Sequence, residues 1–211
     1  MQRQPITGFI LAGGQSRRMG ADKAQLPWSS GTFLSHAVEI LGDVASSVVV
    51  VGGSASAVPD VSVLPDQFSG RGPLAGIHAA LSHTKTDWNL ILAVDMPLVT
   101  PALFSFIAEK CASSSAIAIV PQTGGRLQPL CAAYRRQLLP KIQKAIDAGE
   151  LSIHRLLESL STGIMEENPG GIRVLREDEL TANDFRLEML MNVNTPEDFG
   201  RARQVAQELN V

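Results

Sequence analysis

The sequence predicts a three-layer α/β/α fold with a Rossmann-like, mostly parallel sheet. Short apolar runs alternate with segments whose apolar residues recur at helical spacing, and this alternation continues through roughly residues 1–110. The apolar runs are nearly uninterrupted and end at glycine or proline, which is typical of strands covered on both faces. Strands and helices that alternate in this way form parallel sheets with right-handed crossovers.

Length and composition favour a single domain that does not bind nucleic acid or membranes. The chain has 211 residues, enough for one well-buried core, so we expect residues 1–211 to form one domain. A net charge of -3 argues against general attraction to nucleic acid or anionic membranes, so any anion-binding site must be local. The sequence has neither an apolar run of about 20 residues nor a signal-peptide pattern, and we expect the protein to be cytoplasmic.

The first half of the chain contains four predicted strands and three predicted helices. Each strand is an apolar or β-branched run. Two of the helices have a proline in their first turn, Pro73 in one and Pro101 in the other. The strands are 6–12, 46–53, 61–66 and 88–97, and the helices are 32–41, 72–83 and 101–110, with Thr100 as the cap of the last. Because ligands bind beyond the carboxyl ends of such strands, the residues that follow them are candidate site residues.

The second half is predicted with fewer elements. The strands are 116–121, 129–134 and 188–194, and the helices lie near 136–148 and 152–160, followed by a last helix opened by Thr195 and Pro196. Glu197 and Asp198 fall in the first turn of that helix, where acidic residues are favourable. We predict no element for residues 161–187.

A glycine-rich, cationic loop follows the first strand. Gly13 and Gly14 precede Arg17, Arg18 and Lys23. Glycines at a strand-to-helix turn expose backbone N–H groups to an anion. The loop has neither the spacing of a P-loop nor that of a dinucleotide fingerprint. Clustered cations repel one another unless an anion compensates them, so the loop is predicted to bind a triphosphate; the alternative is a solvated turn.

An acidic residue ends the fourth predicted strand. Asp95 follows the apolar run "LILAV" and precedes Met96-Pro97. The carboxyl end of a strand is where open sheets bind ligands, and Mg²⁺ prefers oxygen ligands. We therefore interpret Asp95 as a magnesium ligand, with a helix cap or turn as the alternative.

Four motifs carry a resemblance to a known family. The stretch "LAGGQSRRMGADKA", together with "GPLAGI", "VDMP" and "NVNTPED", resembles the molybdenum cofactor guanylyltransferases, within the sugar-nucleotidyltransferase-like group, and the motifs span residues 11–198. The resemblance implies a fold of the nucleotide-diphospho-sugar transferase type, with a nucleotide half over about 1–110 and an acceptor half over about 111–211. It also implies transfer of GMP from GTP to molybdenum-molybdopterin with Mg²⁺, giving the guanine dinucleotide cofactor and pyrophosphate.

The resemblance also implies roles for individual residues. Asp95, Arg17 and Lys23 are expected to be catalytic, with Asp95 as the metal ligand. The expected GTP-binding residues are Leu11, Ala12, Gly13, Gly14, Lys23, Asp66 and Asp95. Asn192 and Asn194 lie at the end of another predicted strand and are expected to contact the acceptor or a second metal; an Asn-rich turn that caps the last helix is the alternative.

Two other functions stay open at this point. A cytidylyltransferase acting on molybdopterin, or a nucleotidyltransferase acting on a sugar or alcohol phosphate, would share the loop and the metal. Gly13-Gly14 is similar to the guanylyl version of the motif, whereas "LPW" at 26–28 is similar to cytidylyl relatives. A molybdopterin carrier is the non-enzymatic alternative. As a guanylyltransferase, the protein is expected to be a monomer and to contact transiently the proteins that supply molybdopterin and the molybdoenzymes.

Overall fold

A computed structural model describes residues 4–13, 22–52, 58–59, 61–65, 72–161 and 170–209. Within these ranges the chain forms ten strands and seven α-helices. The strands are β1 (Gln4–Leu11), β2 (Pro27–Trp28), β3 (Gly31–Thr32), β4 (Ala45–Val51), β5 (Ser62–Leu64), β6 (Trp88–Ala93), β7 (Ala118–Thr123), β8 (Arg126–Leu127), β9 (Cys131–Arg135) and β10 (Ile172–Leu175). The helices are α1 (Phe33–Val44), α2 (Pro73–His83), α3 (Pro101–Ser113), α4 (Leu139–Asp147), α5 (Ile153–Leu160), α6 (Glu177–Ala182) and α7 (Pro196–Leu209).

The central sheet is mostly parallel, as predicted. Its strands lie in the order β10, β7, β9, β6, β1, β4, β5, with β8 paired to β7, and β2 and β3 form a separate hairpin. β9 runs antiparallel to both of its neighbours, β6 and β7. Leu11 of β1 lies opposite Val51 of β4 and Ala93 of β6, so these three strands end at the same edge of the sheet.

Helices cover both faces of the sheet, which confirms the α/β/α prediction. One apolar core packs α1, α3, α6 and α7 against one face, and a second packs α2, α4 and α5 against the other. Adjacent residues of β1 divide between the cores: Ile10 belongs to the first and Phe9 to the second, and both are fully buried. This alternation is that of a strand covered on both sides.

The helix starts follow from their sequences. Thr100 accepts a hydrogen bond from the Leu103 backbone N–H at 3.4 Å, and Pro101 occupies the first helical position, as predicted. The side chain of Thr32 caps α1 in a reciprocal pair with Ser35. None of the helices in the described ranges has the length and apolarity needed to cross a bilayer.

The predicted strand at 188–194 is wrong. Leu187–Leu190 forms a 3-10 turn, and residues 191–194 continue without regular structure. Leu190 and Val193, three residues apart, are the buried positions of this segment, as suits a 3-10 turn, whereas a central strand such as β6 is buried at every residue. The unassigned region 161–187 contributes β10 and α6 to the fold.

Candidate active site

The candidate site lies where the strand order reverses. From β1 the chain proceeds to β4 and β5 on one side and then returns to place β6 on the other side of β1. The β1 and β6 ends are joined by a hydrogen bond from the Val94 N–H to the Leu11 carbonyl, at 3.1 Å. Open α/β sheets bind ligands at such a switch point, beyond the carboxyl ends of the strands.

Three side chains from distant parts of the chain meet at this edge. The Lys23 Nζ donates to Asp95 Oδ2 at 2.8 Å and to Asn194 Oδ1 at 2.7 Å. The side chains of Lys23 and Asp95 retain only 16% and 19% of their exposure. Charge-assisted hydrogen bonds of this length are among the stronger polar contacts in proteins. Little water competes for the Lys23–Asp95 contact, whereas the contact with Asn194 is exposed.

Lys23 is positioned by a short 3-10 turn, Lys23–Gln25. The Asp22 carboxylate accepts from the Ala24 N–H at 3.0 Å and so caps the turn. Ala24 is buried beneath it, and the Leu26 carbonyl accepts from the Phe33 N–H at 3.0 Å. The backbone that carries Lys23 is thus anchored on both sides of the lysine's turn.

An aromatic cluster joins this turn to the helices that carry the rest of the site. Trp28 contacts Phe33 of α1 edge-on, with ring centroids 5.4 Å apart, and Phe199 of α7 at 6.1 Å. Phe33 and Phe199 also contact each other, at 5.9 Å. Such edge-on pairs stabilise beyond their buried area, so the cluster fixes α7 relative to the Lys23 turn.

Asp95 lies two residues beyond β6, in a turn fixed from several directions. Its carbonyl accepts from the Val193 N–H at 2.8 Å. His36 Nε2 donates to the Pro97 carbonyl at 3.0 Å, since a carbonyl oxygen can only accept. Burial lowers the pKa of His36 below 6.5, partly offset by this hydrogen bond, so the ring is neutral at pH 7 and can hold the turn without adding charge.

Asn194 is held by the first turn of α7. The Asp198 Oδ2 accepts from the N–H groups of Asn194 and Thr195, both at 2.9 Å, and the Thr195 hydroxyl accepts from the Asp198 N–H at 3.1 Å. The hydrogen bond from the Asn194 N–H is the main reason that the pKa of Asp198 lies below its ordinary value. This reciprocal cap orients the Asn194 side chain toward Lys23.

The structure brings together only part of the predicted site. Leu11 and Ala12 are buried at the end of β1, with the Ala12 N–H bonded to the Val51 carbonyl at 3.0 Å, and Gly13 is exposed at the edge. Asn192 and Asn194 do not lie at the end of a strand, contrary to expectation; Asn194 contacts Lys23, and Asn192 lies two residues earlier on the same irregular segment.

Three predicted residues, Gly14, Arg17 and Asp66, lie outside the described residues, as does Arg18. Their roles therefore stay predictions.

Sequence reasoning missed the residues that orient the site. Asp22, His36 and Asp198 hold Lys23, the Asp95 turn and Asn194, respectively. The spacing of Thr195 and Asp198 matches a capping box, a signal that could have identified the cap. No local pattern pairs His36 with Pro97, because the contact joins α1 to the loop after β6.

The side-chain oxygens of Asp95 and Asn194 suit a cation whose other ligands come from a bound substrate or from water. Carboxylate and amide oxygens of Asp95 and Asn194 converge on a single positive centre, the Lys23 ammonium. In the described ranges no three or more His, Cys, Asp or Glu side chains are grouped as a metal site. A divalent ion here would need oxygens from a bound substrate or water, as Mg²⁺ commonly does at phosphate-binding sites.

Named relatives match this chain over almost its full length. A relative from Pelotomaculum thermopropionicum, named "Probable molybdenum cofactor guanylyltransferase", is 33% identical over 204 residues, covering 95% of this chain and 93% of its own. A relative of the same name from Bacillus cereus is 30% identical over 205 residues, covering 93% and 95%. Both relatives match nearly the whole chain, so the match extends through most of residues 111–211.

Solved structures share the fold. Molybdopterin-guanine dinucleotide biosynthesis protein A from Archaeoglobus fulgidus superimposes with a TM-score of 0.79 at 24% identity, covering 96% of this chain and 99% of its own. The 2-C-methyl-D-erythritol 4-phosphate cytidylyltransferase from Thermus thermophilus gives 0.66 at 17% identity, covering 94% and 98%. The predicted nucleotide-diphospho-sugar transferase type of fold is therefore confirmed.

The family itself is identified by sequence. The profile described as "MobA-like NTP transferase domain" matches residues 8–163, a range that contains the β1 edge, Lys23 and Asp95. The chain therefore belongs to the MobA-like NTP transferase family of nucleotidyltransferases.

Proposed function

We propose that this protein transfers GMP from GTP to molybdenum-molybdopterin, producing the guanine dinucleotide cofactor and pyrophosphate. The observation that carries the proposal is the contact between Lys23 and Asp95 at the switch point of the sheet. A nucleotidyltransferase needs a cation for the phosphates and a carboxylate for the metal at one place. The choice of guanine and of molybdopterin rests on the names of relatives that match at least 93% of the chain.

The reaction requires little covalent chemistry from the protein. A terminal phosphate oxygen of molybdopterin attacks the α-phosphorus of GTP, forming one P–O bond while the bond to pyrophosphate breaks. The attacking phosphate is largely ionised at neutral pH, so no general base is needed. The chain's residues contribute by aligning the two substrates and by compensating the negative charge on the phosphates.

Lys23 and the glycine loop are the proposed phosphate-binding elements. The Lys23 ammonium contacts Asp95 just beyond the end of β6, and Gly13 is exposed just beyond the end of β1, the neighbouring strand. Backbone N–H groups of Gly13 and Gly14 and the side chain of Arg17 complete the proposed set. Leu11, Ala12 and Asp66 are proposed to contact the nucleoside.

Asp95 is the proposed magnesium ligand. Its carboxylate and the Asn194 amide oxygen already face one cation, which fits a site for a hard, oxygen-preferring metal. When bound, Mg²⁺ would supply Lewis-acid stabilisation of the phosphate oxygens. Asp95 would fix the metal relative to the strand edge, and His36 would fix Asp95 through the Pro97 carbonyl.

The acceptor is proposed to bind along the segment that contains Asn192 and Asn194. An open groove of about 710 Å³ adjoins this segment in the C-terminal half. Its lining combines apolar side chains such as Met191 with the cations Arg186 and Arg201 and the carboxylates of Asp184 and Glu188. The two arginines are proposed to meet the phosphate of the acceptor and the apolar side chains to meet its pterin. Within a single domain, residues up to about 110 would thus form the nucleotide half and later residues the acceptor half.

We propose that the enzyme acts as a cytoplasmic monomer.

The experiment that tests the proposal compares pyrophosphate release by wild type and Asp95→Asn. The assay contains GTP, Mg²⁺ and molybdenum-molybdopterin, and loss of the metal ligand is expected to lower kcat by about a hundredfold or more, in line with the loss of a transition-state electrostatic contact. Asp87→Asn is the matched control, because Asp87 also forms an ion pair, with Arg135 at 2.6 Å, but away from the strand edge. Near-normal turnover by Asp95→Asn would contradict the assignment.

A further inference from the structure

The Lys23 ammonium occupies the point on which the site's oxygens converge. Asp95 follows β6 and Asn194 precedes α7, yet an oxygen of each side chain accepts a hydrogen bond from this one nitrogen, at 2.8 and 2.7 Å. Two acceptors from separate segments facing one positive centre is the arrangement expected of a cation site. The positive group at that point is the Lys23 ammonium.

A cation is needed there because the carboxylate is largely removed from water. Asp95 retains 19% of its side-chain exposure, and a carboxylate desolvated to this degree is costly unless it is paired. The Asp198 carboxylate accepts hydrogen bonds from the backbone N–H groups of Asn194 and Thr195, so its role is to hold the start of α7. Among the described residues, the Lys23 ammonium is the cation that pairs with Asp95, at 2.8 Å.

We propose that Lys23 is a stand-in for the divalent cation and that it prevents Asp95 from binding metal before nucleotide arrives. The inference rests on the proposed function, because the triphosphate of the nucleotide is the anion that draws the ammonium away. Once the ammonium moves to the phosphates, the oxygens of Asp95 and Asn194 become available to the metal. Metal binding and nucleotide binding are then coupled, each favouring the other.

The side-chain chemistry permits this exchange without main-chain movement. Lysine carries its charge on a flexible four-carbon stem, whereas its backbone lies in the turn fixed by the Asp22 cap. A divalent ion approaching Asp95 in the resting state meets a like charge within contact distance of the same oxygen, and that repulsion is strong where water is scarce. A bound triphosphate adds several negative charges, which attract the ammonium away from Asp95 and offset its repulsion of the divalent ion.

The test measures Mn²⁺ binding in the absence of nucleotide, from the electron paramagnetic resonance signal of free Mn²⁺. Lys23→Met is expected to bind Mn²⁺ at least about tenfold more tightly than wild type, since it removes one charge adjacent to the ligand oxygens. Lys23→Gln, which keeps a polar group for Asp95, should change affinity in the same direction. Lys110→Met is the matched control: it also removes a lysine from a partly buried ion pair, with Glu179, and should leave Mn²⁺ affinity unchanged.

A double variant tests whether the increase in Mn²⁺ affinity comes from binding at Asp95. Adding Asp95→Asn to Lys23→Met should abolish the increase in Mn²⁺ affinity. Equal affinity of wild type and both Lys23 variants, or a gain that survives Asp95→Asn, would overturn the inference. Because this measurement contains no nucleotide, its outcome is independent of the pyrophosphate assay, which alone decides whether GMP transfer is the activity.

Discussion

Removing the Lys23 side-chain charge should destabilise the protein more than removing the charge of Asp95. Lys23→Met leaves the Asp95 carboxylate, only 19% exposed, without its cation. Asp95→Asn instead leaves the ammonium, 16% exposed, with amide oxygens at position 95 and on Asn194 as acceptors. A carboxylate that loses its partner keeps its charge in poor solvation, whereas the ammonium keeps hydrogen-bond acceptors.

The expected cost of Lys23→Met lies between two reference cases. Fully exposed ion pairs contribute about 0–1 kcal/mol, and breaking a fully buried pair costs about 3–5 kcal/mol. The Lys23–Asp95 pair is mostly buried but reaches solvent at the strand edge, so we expect Lys23→Met to lower the free energy of unfolding by about 2 kcal/mol. Asp95→Asn should lower it by less than about 1 kcal/mol.

The assay is urea unfolding at pH 7.5, without nucleotide or metal, on both single variants and the double variant. Because the two residues are in direct contact, the double-mutant cycle should give a coupling free energy of about 1 kcal/mol or more. Asp87→Asn, in the more exposed pair with Arg135, provides the comparison and should change stability by less than about 1 kcal/mol. A coupling free energy of zero, or a larger loss for Asp95→Asn than for Lys23→Met, would refute the reasoning.

The remaining predictions concern the packing of the sheet and the α7 cap. Gly8→Ala would place a Cβ 3.1 Å from the Leu41 Cβ and should lower the free energy of unfolding by about 1–3 kcal/mol. Gly42→Ala, with open space around it on α1, should raise it by about 0.5–1 kcal/mol. Equal effects of the two variants in urea titrations would contradict this packing. The pKa of Asp198 lies below its ordinary 3.8, so its stabilising contribution is complete above about pH 4 and is lost as pH falls through the lowered value. Asp198→Asn should therefore flatten the acid limb of thermal unfolding temperature against pH, and an unchanged limb would argue against the Asn194 cap.

The parts of the fold fixed by local patterns were predictable. The apolar run of β6 and the Thr100–Pro101 start of α3 appear in the structure at the predicted places. Alternation of buried strands and helices was enough to predict the three layers, because that pattern is local and repeated. The sequence did not indicate that β9 runs antiparallel between β6 and β7, since strand direction depends on pairing between distant segments.

The sequence indicated candidate site residues one at a time, but not the contacts between them. Asp95 and Lys23 were each predicted from their position after a strand, yet their contact joins residues 72 positions apart and the contact with Asn194 spans 171 positions. The segment that ends at Asn194 was wrongly predicted as a strand, because apolar composition alone does not distinguish a strand from a 3-10 turn followed by irregular chain. Burial of Leu190 and Val193 at a three-residue interval is the physical sign that it is not a strand.

Nucleotide-selective pyrophosphate release is the most direct test of the proposed activity. The purified protein is given GTP, CTP or ATP at equal concentration, with Mg²⁺, in the presence and absence of molybdenum-molybdopterin. We predict release with GTP that requires both molybdopterin and Mg²⁺ and that disappears in Asp95→Asn. Preferential release with CTP, or tight molybdopterin binding with no release from any nucleotide, would contradict assignment of this chain as a guanylyltransferase.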